Sequence, residues 1–145
     1  MKKYRQGNVL RHEEASAKDI YLRRPFKYKF IETILYVFVM FGILSLLPKS
    51  SVAVFIVAMV AAIVIVGFAP FIYKVLLHPA YKLSRTHLLI RIGKTEESVP
   101  LHELQRTSTW NSTYRANGKK YHIMASQEFL EELDNQIARV QKRGK

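Results

Sequence analysis

The residues of this 145-residue chain best suited to acid–base or metal chemistry are five histidines: His12, His78, His87, His102 and His122. None stands in a ligand spacing such as His-Glu-x-x-His. The run His102-Glu103-Leu104-Gln105-Arg106 sets one imidazole beside one carboxylate, with no second ligand at a useful interval. The chain has no cysteine, which removes thiolate zinc sites, iron–sulfur clusters, disulfides and thiol nucleophiles. Its six glycines are scattered singly, so no glycine-rich loop is available to cradle a phosphate. Ser108, Ser112 and Thr113 lack the tight flanking glycines of a nucleophile elbow. Asn111-Ser112-Thr113 has the spacing of an N-glycosylation acceptor, which is irrelevant if the segment faces the cytoplasm. His122 alternates away from the apolar residues of its segment and is expected at the surface. No catalytic centre, cofactor or metal is expected, and the chain reads as non-catalytic.

What the sequence offers instead is positive charge. There are 23 Lys and Arg against 11 Asp and Glu, a formal net charge of +12, in a chain that is 49% hydrophobic. Two basic clusters stand out. Arg23, Arg24, Lys27 and Lys29 precede the first long apolar run, and Arg115, Lys119 and Lys120 surround the dipeptide Asn117-Gly118. Basic side chains attract phosphate whatever carries it, in nucleic acid or in lipid. The first cluster runs directly into an apolar stretch, so anionic lipid or a protein is the expected contact and nucleic acid is not. Each Lys or Arg near an anionic leaflet contributes about 1 kcal/mol. The blander alternative is that the first cluster only sets topology and the second is a solvated turn.

The elements that position these residues follow from hydropathy. The mean hydropathy, −0.02, conceals a strong segregation, with apolar residues in the middle and charges at both ends. Residues 30–47 and 51–76 form two runs almost without charge, Glu32 being the exception in the first and Lys74 in the second. A helix needs roughly 20 apolar residues to cross a bilayer. With only Pro48, Lys49 and Ser50 between them, the two runs read as an antiparallel transmembrane hairpin over 30–77. Residues 1–29 carry nine Lys and Arg against three carboxylates, while the turn offers only Lys49. The positive-inside rule then places both termini in the cytoplasm. The first span reads as an uncleaved signal anchor, because the charged segment before it is too long for a cleaved signal peptide. Glu32 is expected at the interface, paired with Lys27 or Lys29. Polar residues are too few and too near the span ends to line a water-filled pore.

After His78-Pro79 the period changes. Strands are expected at Ala80–Ser84, His87–Ile92, Ser98–Leu101, Gln105–Trp110 and Lys119–Ala125, with 110–117 available for a sixth. Asn117-Gly118 is the strongest hairpin signal, because both residues tolerate positive φ. Ser126 is a helix N-cap. Glu128, Glu131 and Glu132 early in the helix and Arg139, Lys142 and Arg143 late in it match the helix dipole. Phe129, Leu133, Ile137 and Val140 give that helix one apolar face.

Three stretches of this tail carry a family resemblance: Tyr81-Lys82-Leu83-Ser84, His87 through Gly93, and Ser98-Val99-Pro100-Leu101. Together with Tyr121 through Ser126 and the helix that follows, they resemble the bacterial PH-like domains, over residues 28–142. The resemblance implies a small antiparallel sheet closed by a C-terminal helix, often preceded by two spans. A full PH barrel has seven strands, and five or six can be counted here, so an incomplete barrel is the expectation. The architecture is also similar to small two-span proteins of lactic acid bacteria described as pore-forming. The reading is α+β, in three parts. Residues 1–29 form a basic cytoplasmic segment, 30–77 a transmembrane hairpin, and 78–145 a cytoplasmic PH-like domain. The expected role is that of a non-catalytic bacterial plasma-membrane protein presenting an interaction module at the inner leaflet. Its expected partners are the bilayer, anionic lipid, and a protein or a second copy. An oligomeric pore is the alternative.

Overall fold

The computed structural model of the chain describes residues 9–46, 51–108, 110 and 112–144. The turn at 48–50 expected between the two apolar helices lies outside them.

Two long helices dominate the length of the molecule. Helix α2, Phe26–Leu46, has 21 residues and α3, Ser51–Leu77, has 27. At 1.5 Å per residue these span about 31 and 40 Å, enough for the ~30 Å hydrocarbon core of a bilayer. Both are apolar all round rather than on one stripe. Only 6% of each apolar stretch is buried against the rest of the molecule, and Phe38, Phe41, Phe55 and Phe68 all point outward. A helix hydrophobic on every face and left uncovered does not belong in water. Helix α3 continues through Pro70.

The remainder is an α+β unit of two antiparallel sheets and two further helices. The first sheet has the order β1-β2-β3-β4 and the second β5-β6-β7. Their strands are β1 Val9–Glu14, β2 Ala80–Ser84, β3 His87–Ile92, β4 Thr95–Pro100, β5 Gln105–Ser108, β6 Thr113–Ala116 and β7 Lys119–His122. Helix α1, Ala17–Arg23, lies between β1 and α2, and α4, Gln127–Arg143, ends the chain. Tyr81, Leu88, Tyr114, Phe129 and Leu133 are fully buried where the sheets meet α4.

Local chemistry explains the turns. Asn117 (φ 49°) and Gly118 (φ 78°) form the two-residue hairpin between Ala116 and Lys119, as two consecutive left-handed residues require. Gly93 (φ 61°) turns β3 into β4, and its N–H donates to the Leu77 carbonyl, closing the end of α3. Ser126 caps α4 by accepting from the Phe129 N–H at 3.2 Å.

The structure differs from the sequence reading at the N-terminal segment. That segment was expected as a basic run apart from the sheet, yet its residues 9–23 are part of the fold. β1 pairs with β2 from Val9↔Ser84 to Glu14↔Ala80, and the Ala15 N–H donates to the Pro79 carbonyl at 2.9 Å. Ile20 of α1 is fully buried in the shared core. Glu13 accepts from both the N–H (2.6 Å) and the hydroxyl (2.8 Å) of Ser126, so the first strand holds the start of the last helix. Arg11 adds ion pairs to Glu128 and Glu132, each at 3.2 Å. The helical hairpin is therefore a long excursion between two neighbouring strands, leaving the sheet and returning to it at one point.

Three smaller differences have plain causes. β4 begins at Thr95 rather than Ser98, because the tight Gly93-Lys94 turn brings Thr95 directly opposite Ile92. β7 ends at His122, since Ile123, Met124 and Ala125 turn into the core as the link to α4. The stretch 110–117 supplies a strand of only four residues, β6.

Candidate functional site

The two sheets do not hydrogen-bond to each other through β4 and β7, and side chains close that seam. Lys119 Nζ donates to both Glu97 oxygens, at 2.8 and 2.6 Å, and Tyr121 Oη donates to Glu97 Oε1 at 2.8 Å. The Lys119 ammonium also stands over the Tyr121 ring, 5.3 Å from its centroid. Lys119 and the Tyr121 hydroxyl hold the Glu97 carboxyl below its usual range. In turn, burial and the Glu97 charge push the Tyr121 phenol up to about 12.

Beside the seam lies a cleft of about 260 Å³. Its floor is apolar, from Ile90, Ile92 and Met124, and one wall is Pro25 and Tyr28 at the start of α2. Lys119, Lys120 and His122 of β7 form the other wall. His122 is half-buried rather than at the open surface, and its Nδ1 lies 3.2 Å from the Thr113 hydroxyl. Burial first, then the charges of Lys120 and Lys27, hold its imidazole below the ordinary value of 6.5. Tyr28 packs at a tilt against Tyr73 of α3, ring centroids 4.8 Å apart, so the cleft wall is continuous with the hairpin.

The seven basic residues singled out in the sequence divide sharply. Arg23 is internal: it donates to Ser112 Oγ (3.1 Å), Asp19 Oδ1 (3.4 Å) and Gln127 Oε1 (2.9 Å), joining α1 to the β5–β6 connection and to α4. Arg24 is internal too. Its side chain and that of Glu32 are each 7% exposed and meet at 2.6 Å, and its guanidinium lies 4.9 Å from the Tyr21 ring centroid. Glu32 is thus paired, but with Arg24 rather than with the expected Lys27 or Lys29. Lys119 is engaged by Glu97. Lys27, Lys29, Arg115 and Lys120 remain exposed and, among the described residues, have no ion-pair partner. Arg115 and Lys120 are register partners across β6 and β7, so they share one face of the sheet. Lys27 lies in sequence between the cleft residues Pro25 and Tyr28, and its charge acts on His122. Of the two clusters, Lys119 and Lys120 line the cleft, and Lys27 stands in the first turn of α2, beside its wall; nothing places Arg23, Arg24, Lys29 or Arg115 there.

Sequence reasoning missed Glu97, Tyr121, His122 and Tyr28 as cleft residues. Only the alternation in β7 pointed to any of them, and it put His122 at the open surface. Among the described residues no group of His, Asp and Glu is arranged to hold a metal ion. A second groove, of about 490 Å³ between α2 and α3, is lined only by aliphatic side chains such as Val39, Ile43, Val60 and Ile65. Comparison of the chain with family models, with curated proteins and with solved structures finds no match.

Proposed function

We propose that the chain is a non-catalytic integral protein of the bacterial plasma membrane, which crosses the bilayer twice and holds a PH-like interaction module against the cytoplasmic leaflet. The observation that carries this reading is the pairing of β1 with β2 on either side of the hairpin. Strands hydrogen-bonded to each other lie on one side of a membrane, so the excursion between them crosses it an even number of times, and two apolar helices fill that excursion. Their uncovered apolar surface supports lipid as their surroundings over a soluble core. The excess of Lys and Arg on the strand side supports a cytoplasmic position. Seven strands among the described residues, in a four-plus-three arrangement with a closing helix, support the PH-like resemblance, since seven is the number a full barrel uses.

Polar groups within the helices support an anchor over an oligomeric pore. Glu32 is taken by Arg24, the Thr33 hydroxyl donates to the Lys29 carbonyl at 3.0 Å, and Ser45 donates to the Phe41 and Gly42 carbonyls at 3.0 and 2.8 Å. The module's partners on this reading are the bilayer itself, its anionic lipids, and a protein or second copy docking at the leaflet. A reporter active only outside the cytoplasm tests it. Fused after Lys145 it is silent, and fused after Lys49 it is active. The reverse pattern, or release of the protein from membranes by alkaline carbonate, would sink the reading.

A further inference from the structure

The cleft beside the first turn of α2 combines three features that bear on a ligand. The first is uncompensated charge. Lys27 and Lys120 have no ion-pair partner among the described residues, whereas Arg11, Arg23, Arg24 and Lys119 are each held by carboxylates. The second is that the acidic group in the cleft, Glu97, already accepts from Lys119 and Tyr121, and so does not neutralise the other lysine. The third is His122, which lines the cleft with Lys120 and feels the charges of both lysines. With Nδ1 turned to Thr113, its other ring nitrogen is left for a further bond. An anion held there would offset the two positive charges that oppose protonation of the ring.

The size and position of the cleft narrow the class of anion. At about 260 Å³ it falls just under the ~300–1,000 Å³ of pockets for drug-sized ligands, which suits a phosphate with a small ester substituent. Its floor of Ile90, Ile92 and Met124 suits the less polar side of such a group. Its wall of Pro25 and Tyr28 is the start of a span, where headgroups lie. Resting on the membrane reading above, we propose that the cleft binds the phosphate of an anionic phospholipid headgroup, with Lys27, Lys120 and His122 as its donors. Lys27 and Lys120 supply charge-assisted bonds, the stronger kind. The engaged Lys119–Glu97–Tyr121 group keeps the seam between the sheets closed behind the headgroup.

The test uses the full chain in nanodiscs of phosphatidylcholine alone or with phosphatidylglycerol added. Lipid retained on the released protein is counted by native mass spectrometry, and the His122 ring is titrated by NMR. The expected result is retention of phosphatidylglycerol and a rise in the His122 midpoint in the mixed discs only. The double variant Lys27→Gln/Lys120→Gln loses both, with retention falling about thirty-fold for two lysines at ~1 kcal/mol each. The control Lys142→Gln/Arg143→Gln, at the far end of α4, retains lipid as the parent does. Equal retention in the double variant and the parent would overturn the site. So would inorganic phosphate or glycerol phosphate moving His122 in phosphatidylcholine discs as far as the anionic lipid does, since the ligand would then be a soluble anion. Carbonate extraction of the same proteins reports insertion separately. An inserted chain that fails the lipid test loses only this site, and one that is extracted loses the membrane reading.

Discussion

His122 stands two residues after Lys120 on β7 and within reach of Lys27 at the base of α2, and both cations oppose its protonation, as does its burial. Its pKa is lowered in the folded state relative to the unfolded chain. Its contribution to stability is therefore fully present above the ordinary value of 6.5 and is lost as pH falls through the lowered one. In neutral detergent the protein is expected to melt at lower temperature as pH drops from about 7 to about 5, and His122→Gln to flatten part of that slope. An unchanged slope in the variant would show that the ring does not feel its surroundings. Glu97 gives a second residue-scale test. Its carboxylate is one cause of the raised Tyr121 phenol, so Glu97→Gln brings that phenol down from about 12 toward 10, as read by NMR of labelled tyrosine. Glu97 itself, lowered by Lys119 and Tyr121, stabilises the seam above its unfolded pKa and ceases to do so as pH falls through the folded one. These properties were only half legible in the sequence. Lys119 and Lys120 read as one basic tip beside Asn117-Gly118. Successive residues of a strand face opposite ways, however, and the carboxylate that engages one of them comes from β4, in the other sheet. Pairing of that kind leaves no trace in local spacing.

At the scale of elements, α4 is held at both its face and its start. Leu133 is fully buried, and Leu133→Ala is expected to cost about 2–5 kcal/mol. Ile20 in the short helix α1 is equally buried, and Ile20→Ala should cost a similar ~2–5 kcal/mol if α1 belongs to the core as described. Thermal melting in detergent micelles compares the two. A melting point indistinguishable from the parent's for Ile20→Ala would detach α1 from the fold. The strands from Ala80 onward, the Asn117-Gly118 hairpin and the Ser126 cap were legible, since turn chemistry and capping are written in adjacent residues. β1 was not. Val9 and Leu10 are exposed and the rest of the strand is charged or His, so no apolar alternation marks it. Its pairing and its bonds to Ser126, Glu128 and Glu132 come from residues 66 to 121 positions away. The helix after it did leave a signal: Ser16 three residues before Asp19 is a capping pair. The Asp19 N–H donates to Ser16 Oγ at 3.1 Å, and the Ser16 hydroxyl to Asp19 Oδ2 at 2.6 Å.

For the whole molecule the decisive contact is the β1–β2 ladder, and the absence of native cysteine makes it directly testable. His12 and Lys82 are register partners in that ladder, and opposed residues of an antiparallel pair have Cβ atoms about 4.5–5.5 Å apart. The double variant His12→Cys/Lys82→Cys is expected to form an intramolecular disulfide under mild oxidation, seen as faster migration on a non-reducing gel. Single variants should show no such shift. Two accessible thiols that stay reduced would mean that the strands are apart. The same ladder fixes how the α+β unit is joined to the helical hairpin. It is held at both ends of the excursion, by the Ala15–Pro79 bond on one side and by Gly93 against Leu77 on the other. The Arg24–Glu32 pair adds a third tie at the base of α2.

That ladder also has a consequence for how the protein is made. β1 and α1 leave the ribosome before the two long helices, yet the strand β1 must pair with follows both of them in the chain. At ~5–20 residues per second, several seconds separate the synthesis of the two. Throughout that interval β1 waits with an open edge, which is the state most prone to pair wrongly. On the membrane reading proposed above, the sheet can be completed only when the chain has come back to the side it started from, which a single inserted helix does not allow. A nascent chain with one helix inserted backwards, or left in the cytoplasm, keeps β1 and β2 apart and its core open. Closure of the sheet is thus a late checkpoint on insertion. Chains that fail it expose unpaired strand edges and apolar residues such as Ile20, the features by which chaperones and proteases pick out what to unfold or destroy.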